Sequence, residues 1–107
     1  MTQKEFEILF SGWKTPNTYN TDFEDPPQES GVYLLVNPIE KSKLKYTILY
    51  IGSAKWLYQR YERHEVRRVL TEVYGNVPFY WKRFDNYREI EKQLIKQYQP
   101  KFNKQWR

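Results

Sequence analysis

Two short apolar stretches, residues 31–36 (GVYLLV) and 47–52 (TILYIG), decide the fold of this 107-residue chain. Both are dominated by β-branched, aromatic and other apolar residues, a composition typical of strands. The polar connection 37–46 is rich in Lys and joins the two stretches, so we expect a β-hairpin. Tyr33 and Tyr50 then lie on neighbouring strands.

The residues after this hairpin predict a helix and a third strand. From Ala54 the apolar spacing becomes helical, with Ser53 as the expected N-cap. Arg60 and His64, four residues apart, should share one side of that helix. Residues 77–84 predict a strand with two partly aromatic faces, because Phe79, Trp81 and Arg83 alternate with Tyr80, Lys82 and Phe84. The chain therefore predicts an α+β fold with a small, mainly antiparallel three-stranded sheet flanked by helices.

The last predicted helix places a carboxylate at a buried position. We expect the helix to begin at Asn86, with Glu89 completing a capping box, and to end before Pro100. Glu91 falls inside the apolar arc of this helix. That arc is formed by Ile90, Leu94, Ile95 and Tyr98. A buried carboxylate is costly unless it pairs with a cation or binds a metal ion, and the helix pattern leaves both open.

Residues 1–30 are expected to be an N-terminal extension of a domain at 31–107. Residues 6–10 (FEILF) fit either an edge strand or a short helix that covers part of the core. Residues 15–30 contain three Pro and four acidic residues, which predicts an irregular acidic connector. We interpret its charge as a solvated surface rather than as a mimic of DNA.

Composition favours a nucleic-acid partner. The chain carries a net charge of +5, and 19% of its residues are aromatic. Basic side chains contact phosphates and aromatic rings stack on bases, although charge alone fits a merely soluble basic domain equally well. The absence of Cys excludes disulfides and thiolate metal sites. With no membrane-spanning apolar run and no signal-peptide pattern, we expect a cytoplasmic protein without a membrane partner.

Several residues at fixed offsets resemble the GIY-YIG nuclease superfamily, and most closely its homing-endonuclease branch. The resemblance covers about residues 31–103. It rests on Gly31-Val32-Tyr33, Tyr50-Ile51-Gly52, Arg60, His64, Glu91 and Asn103. Agreement at several independent positions is more specific than one short motif. The resemblance implies the GIY-YIG nuclease fold and a metal-dependent DNA endonuclease that leaves 5′-phosphate and 3′-hydroxyl ends.

The resemblance also implies a role for each catalytic residue. Glu91 is the ligand of one Mg²⁺ or Mn²⁺ ion per active site, with water and phosphate as the other ligands. Arg60 holds the phosphate through its planar fork of donors. Tyr33 and Tyr50 order the attacking water, and Tyr33 is the expected general base. His64 supplies the neighbouring cation or base that a phenol needs near neutral pH.

Four residues are expected to support the site. Gly31 and Gly52 permit close approach of the backbone. Ser53 stands where some branches of the superfamily carry Lys, and here it is expected to cap the helix. Asn103 is expected to brace the C-terminal tail or to form a hydrogen bond near the site.

The sequence also allows non-catalytic interpretations of Tyr33, Tyr50 and His64. Tyr33 and Tyr50 also fit cross-strand packing in the core, and His64 fits a hydrogen-bonding residue at the edge of a helix. The corresponding alternative for the whole protein is a nucleic-acid-binding module without turnover. A small interaction domain, with an incidental basic balance, is a third reading.

Eight residues are expected to contact the DNA. Phosphate contacts of this kind position a duplex without reading its sequence. They are Lys41, Lys43 and Lys45 in the hairpin connection, and Lys55, Trp56, Arg63, Arg67 and Arg68 along the first helix. For the hairpin connection, a solvated loop is an equally good reading. We expect the nuclease to recognise DNA structure or little at all, or to obtain its target from a separate partner. A lone active site predicts nicking, or cleavage of both strands by a homodimer.

Overall fold

The structure, a computed structural model, describes residues 1–16 and 25–105, and the side chains of all of these except Gln105. Its helices and strands follow one another along the chain. They are α1 (Gln3–Leu9), β1 (Gly31–Val36), α2 (Pro38–Ser42), β2 (Ile48–Ala54), α3 (Leu57–Glu62), α4 (Glu65–Tyr74), β3 (Phe79–Arg83), α5 (Tyr87–Tyr98) and α6 (Lys101–Gln105). In the described part of the chain, no helix has the length and apolar composition needed to cross a bilayer.

The three strands form one antiparallel sheet in the order β2-β1-β3. Helices flank the sheet, so the predicted α+β class and the three-stranded antiparallel sheet are confirmed. Every residue of the central strand β1 is buried. Because side chains alternate along a strand, β1 contributes to a core on each side of the sheet.

We call these two sides the packing face and the site face. The packing face consists of Val32, Leu34, Val36, Ile48, Ile51 and Tyr80. The site face consists of Tyr33, Leu35, Leu49, Tyr50, Phe79 and Trp81. Helices α1 and α5 cover the packing face with apolar side chains, whereas α3, α4 and α6 contribute Leu57, Leu70 and Phe102 to the site face.

Strand β2 contains a β-bulge that the sequence pattern did not predict. Leu35 pairs with Tyr50 and the next residue, Val36, pairs with Ile48, so Leu49 is the extra residue. A bulge lets two consecutive side chains point to the same side of a sheet. Leu49 therefore packs in the core of the site face while Tyr50 stays on that face beside it.

The N-terminal residues form a helix, which settles the alternative between strand and helix at residues 6–10. Thr2 and Glu5 make a reciprocal capping box at its start. Phe6 is buried on the packing face, with its ring centroid 4.5 Å from that of Tyr46 and 5.1 Å from that of Tyr80. The described part of the extension is thus packed into the same core as the sheet.

The prediction of one helix from Ala54 onward was wrong in its start and its length. Strand β2 continues through Ala54, and α3 begins only at Leu57. Ser53 is consequently a strand residue and not an N-cap. The helix also ends at Glu62, and a new helix starts at Glu65.

The end of the acidic connector supplies the cap that Ser53 does not. The N–H groups of Leu57 and Tyr58 donate to the backbone carbonyls of Glu29 and Pro27 at 2.9 and 3.0 Å. The Gln28 side chain accepts from the next amide along the helix at 3.2 Å. Distant residues in sequence therefore satisfy the first donors of α3. Of the connector, residues 17–24 lie outside the described residues.

The remaining element predictions were close. The third strand spans Phe79–Arg83, inside the expected range. The last helix starts after Asn86 and ends two residues before Pro100, as expected. The capping box was wrong, because the Asn86 side chain makes no capping hydrogen bond.

Candidate active site

All five residues expected to be catalytic line one cleft of about 260 Å³ on the site face. They come from five different elements or junctions, β1, β2, α3, the α3–α4 junction and α5. The complete lining is Tyr33, Tyr50, Ser53, Arg60, His64, Glu65, Val66 and Glu91. The fold thus brings residues separated by up to 58 positions in sequence into contact with one small volume, since the lining runs from residue 33 to residue 91.

Tyr33 lies at the centre of this arrangement. Its ring stacks on Phe79 with centroids 4.9 Å apart and meets His64 edge-on at 4.8 Å. Its hydroxyl oxygen lies 2.7 Å from Nε2 of His64, in a buried hydrogen bond. These contacts hold the phenol in one orientation, so its packing role and a chemical role are compatible.

Gly52 provides the space for the Tyr33 hydroxyl. The two residues are directly paired across β1 and β2. A Cβ atom at position 52 would lie 2.2 Å from the hydroxyl oxygen of Tyr33. Gly31 is required for a different reason, because a Cβ atom there would lie 2.3 Å from the backbone oxygen of Lys82. The expected close backbone approach is therefore seen at Gly31, while Gly52 makes room for a side chain.

His64 joins α3 to α4 and is not inside a single helix. It is the N-cap of α4, and its Nδ1 accepts a hydrogen bond from the backbone N–H of Arg67 at 3.1 Å. In a neutral ring whose Nδ1 is an acceptor, the proton is on Nε2. Nε2 therefore donates to the Tyr33 oxygen, an assignment that follows from the hydrogen-bond network.

The charge state of His64 differs from the expected one. Burial, together with the nearby Arg60 and Arg67 cations, lowers the pKa of His64 to about 3. The ring is neutral near pH 7, and its Nδ1 is already engaged. His64 can therefore act on Tyr33 neither as a cation nor as a proton acceptor, and it acts as a hydrogen-bond donor.

Glu91 lies on α5 and is buried, with only 7% of its surface exposed, which is unusual for a charged residue. It faces the cleft together with Glu65, Tyr33 and Tyr50. Within residues 1–16 and 25–105 there is no group of three or more His, Asp or Glu residues that could hold a metal ion. A cation here would have Glu91 as its main protein ligand. This is compatible with Mg²⁺, which usually keeps several water ligands and also binds substrate phosphate.

Arg60 provides an available positive charge at the mouth of the cleft. Its side chain is exposed, and its guanidinium makes no hydrogen bond or ion pair with any residue that the structure describes. It also lines a second, adjoining cleft of about 330 Å³ with Lys55, Trp56, Gln59 and Arg63. Arg60 is therefore shared by two neighbouring clefts.

Asn103 braces β2 beside the site. Its side-chain amide pairs with the backbone of Ile51 in both directions, accepting from the N–H at 2.8 Å and donating to the carbonyl at 2.7 Å. Ile51 lies between Tyr50 and Gly52 on β2, which is an edge strand of the sheet formed by the described residues. The buried Asn103 thus takes the place of a neighbouring strand and fixes the backbone of the tripeptide.

The residues expected to contact DNA are distributed unequally around the site. Lys55, Trp56 and Arg63 line the second cleft beside Arg60. Arg67 uses its Nε to donate to the Val77 carbonyl at 2.9 Å and also stacks on Tyr61, so it holds α4 against the start of β3. Arg68 lies 3.9 Å from Glu65 in an exposed ion pair and, with Arg63 and Arg67, lines a wider groove of about 630 Å³.

The hairpin lysines are not brought to the catalytic cleft. Lys41 lies over the ring of Tyr80, which belongs to the packing face, at 5.4 Å from its centroid. Lys45 pairs with Glu40 at 3.9 Å, and Lys43 is exposed. The connection contains the short helix α2, so it is more ordered than the expected loop.

Sequence reasoning missed two lining residues, Glu65 and Val66. Both follow His64 directly and lie in the first turn of α4. An acidic residue just after a potential N-cap is a usual helix-start signal, and it would have indicated the break at His64. Reading Arg60 and His64 as one continuous helix concealed it.

Comparison of the chain with known protein families, with curated proteins and with solved structures gave no match. The function proposed for this chain therefore rests on the geometry of the cleft.

Proposed function

We propose that this protein is a metal-dependent DNA endonuclease of the GIY-YIG type, which hydrolyses phosphodiester bonds. The observation that carries the proposal is the convergence of Tyr33, Tyr50, Arg60, His64 and Glu91 on one cleft. A binding module needs positive charge at a phosphate and has no use for a buried carboxylate beside it. Hydrolysis needs a cation ligand, a phosphate donor and a group that accepts a proton from water.

Glu91 is the residue that would hold the metal ion. Mg²⁺ favours oxygen ligands and is commonly bound through one or two carboxylates together with water and substrate phosphate. When bound, the ion would supply Lewis-acid stabilisation of the charge that develops on the phosphate. Besides Arg60 and His64, the other polar groups that line the cleft are three hydroxyls and a second carboxylate, Glu65, and these oxygen groups are compatible with a Mg²⁺ site.

Arg60 binds the phosphate through its exposed side chain, which lines the same cleft. Its guanidinium is exposed, lacks a partner among the described residues and offers two parallel donors to two phosphate oxygens. Stabilisation of this kind grows as negative charge builds on the phosphate oxygens during attack. Arg60 therefore contributes most in the transition state.

Tyr33 first loses its phenol proton to solvent, and the resulting phenolate takes one proton from the attacking water. The Nε2–H of His64 points at the Tyr33 oxygen over 2.7 Å, and a donor at this position stabilises negative charge on the phenol oxygen. The water oxygen forms the new bond to phosphorus, the bond from phosphorus to the 3′ oxygen breaks, and the 3′ oxygen is protonated by solvent. Tyr50, which pairs with Leu35 on the same face, orients the water.

The test is cleavage of supercoiled plasmid in Mg²⁺ or Mn²⁺ by the wild type, by Glu91→Gln and by a matched control, Glu89→Gln. Both glutamates are on α5, but Glu89 is exposed and does not line the cleft. We expect the wild type and Glu89→Gln to convert supercoiled plasmid to open circles. Glu91→Gln should be at least about 10²-fold slower, and chelator should stop cleavage.

Binding of DNA without cleavage by the folded, metal-supplied wild type would instead favour a non-catalytic nucleic-acid-binding module. Equal rates for the two variants would remove Glu91 from the mechanism. Because the described part of the chain contains one cleft lined by the five proposed catalytic residues, early accumulation of open circles is expected from a monomer, whereas early linear plasmid would indicate a dimer that cuts both strands.

A further inference from the structure

Trp56 is the unusual residue of the second cleft. With 45% of its surface exposed, it is one of the few large apolar residues that the fold leaves open to solvent. It directly precedes α3, and Gln59, Arg60 and Arg63 follow it at helical spacing, so all four lie on one side. The indole therefore forms one wall of a cleft whose other walls are basic and polar.

The chemistry of this cleft matches a nucleotide. Lys55, Arg60 and Arg63 provide positive charge for a phosphate, and the exposed indole provides a flat aromatic surface for a base. The volume of about 330 Å³ belongs to a site for a small group and not to a groove for a whole duplex. Inside a duplex, moreover, neighbouring bases cover both faces of each internal base, so an indole can stack there only on a base that is unpaired or flipped out.

Arg60 places this subsite next to the catalytic cleft. Arg60 lines both clefts, so a phosphate held by Arg60 has its adjoining nucleotide within reach of Trp56. Lys55 currently lies over the Trp56 ring, with its ammonium 5.4 Å from the centroid. An exposed cation–π contact is weaker than base stacking on an aromatic ring, so a base can displace the lysine, which then stays available to a phosphate.

We propose that Trp56 is the stacking wall of a subsite for an unpaired nucleotide that adjoins the phosphate to be cut. This inference rests on the proposed endonuclease function and specifies its substrate class: DNA with an unpaired base beside the scissile bond, as at a flap, bulge or single-stranded end. Recognition of this kind depends on DNA structure and not on sequence, because every base has an aromatic face.

The test measures binding separately from cleavage. The affinity of the wild type is measured by fluorescence anisotropy, in chelator, for a blunt duplex and for the same duplex with a short unpaired flap. The variants are Trp56→Ala, Trp56→Phe and a control, Tyr58→Ala. Tyr58 is also an aromatic residue of α3, but it does not line the cleft.

We expect the wild type to bind the flap DNA more tightly than the blunt duplex. Trp56→Ala should lose about 10- to 100-fold in affinity for the flap DNA and no more than about 2-fold for the blunt duplex. Trp56→Phe, which keeps a ring, and Tyr58→Ala should retain the preference. Equal affinities of the wild type for both DNAs, or a preference that survives in Trp56→Ala, would overturn the inference.

A cleavage arm with Mg²⁺ separates this inference from the proposed function. Preferential binding of flap DNA that depends on Trp56, with no cleavage of either DNA, would contradict the endonuclease and support the stacking subsite. Equal cleavage of both DNAs by the wild type and by Trp56→Ala would support the endonuclease and contradict the subsite.

Discussion

The packing face and the site face both contain several aromatic side chains, but these side chains have different surroundings. On the packing face, the Phe6 ring lies 4.5 Å from Tyr46 and 5.1 Å from Tyr80. On the site face, the Tyr33 ring lies 4.9 Å from Phe79 and 4.8 Å from His64. The ring distances are alike, yet only the site face directs polar groups into a cleft with a buried carboxylate and a free arginine among the described residues.

Under the proposed function, one side of this aromatic core serves stability and the other serves chemistry. Burial raises the pKa of Tyr46 and of Tyr80 on the packing face, which keeps these phenols neutral. Tyr33 is less exposed than either of them, and its hydroxyl receives a hydrogen bond from a neutral imidazole. The environment of each hydroxyl, rather than the residue type, decides its use.

The largest effect is expected from a cavity on the packing face. Leu34 is fully buried, and Leu34→Ala should lower the free energy of unfolding by about 2–5 kcal/mol. The cleavage rate per folded molecule should not change, because Leu34 does not contact the cleft. Urea denaturation measures the first quantity. Leu9→Ala, at an exposed position, is the control and should cost less than about 0.5 kcal/mol.

On the site face, Gly52→Ala should lower the cleavage rate strongly, although it adds only one methyl group. The added methyl group would meet the Tyr33 hydroxyl at 2.2 Å and displace the ring. We expect a loss of about 10²-fold in cleavage rate and about 1–3 kcal/mol in stability. Ile51→Val, one residue earlier on the packing face, should cost about 0.5–1.5 kcal/mol and leave the rate unchanged. Similar rates for Gly52→Ala and the wild type would show that Tyr33 need not be fixed.

Asn103→Ala tests whether the Asn103 side chain holds the backbone of β2 in place. Both hydrogen bonds to the Ile51 backbone would be lost, which should lower the free energy of unfolding by about 1–3 kcal/mol. Hydrogen exchange of the Ile51 amide should become faster, since the edge of β2 is then open to water. Asn76→Ala, at an exposed position, should change neither quantity. Unchanged exchange at Ile51 would contradict the assigned pairing.

The acid side of the pH–stability curve reports on His64. Its pKa is lowered from 6.5 to about 3 on folding, so between these values the unfolded chain binds the proton and the native chain does not. Stability should therefore fall as pH decreases from about 6.5, by at most about 1.4 kcal/mol per pH unit for this residue. His64→Asn keeps an N-cap residue and should show a smaller slope between pH 6.5 and 5. Equal slopes would mean that His64 is not held neutral.

Local patterns in the sequence were sufficient for the hairpin, the third strand and the last helix. The Tyr-containing apolar runs, the alternation around Trp81 and the arc around Glu91 each lie within one element, where periodicity is informative. The position of Glu91 inside an apolar arc also indicated a buried carboxylate, which is seen.

The features that were not predicted depend on distant parts of the chain. The start of α3 is set by carbonyls at residues 27 and 29, and the extra residue at Leu49 is defined only by pairing with β1. The hydrogen bond from His64 to Tyr33 joins residues 31 positions apart, whereas its bond with the amide of Arg67 is local and belongs to the helix-start signal described above. A periodic pattern in a single segment contains no information on such partners.

The central claim is that the site face performs phosphodiester hydrolysis while the packing face stabilises the fold. The most direct measurement is plasmid cleavage by Tyr33→Phe and Tyr80→Phe in Mg²⁺, after circular dichroism has shown that both are folded. Each variant loses one buried hydroxyl, and the two tyrosines lie on opposite faces of adjacent strands. We predict that Tyr33→Phe is at least about 10²-fold slower than the wild type and that Tyr80→Phe cuts at the wild-type rate. Equal rates for the two variants, or no cleavage by the wild type, would contradict the claim.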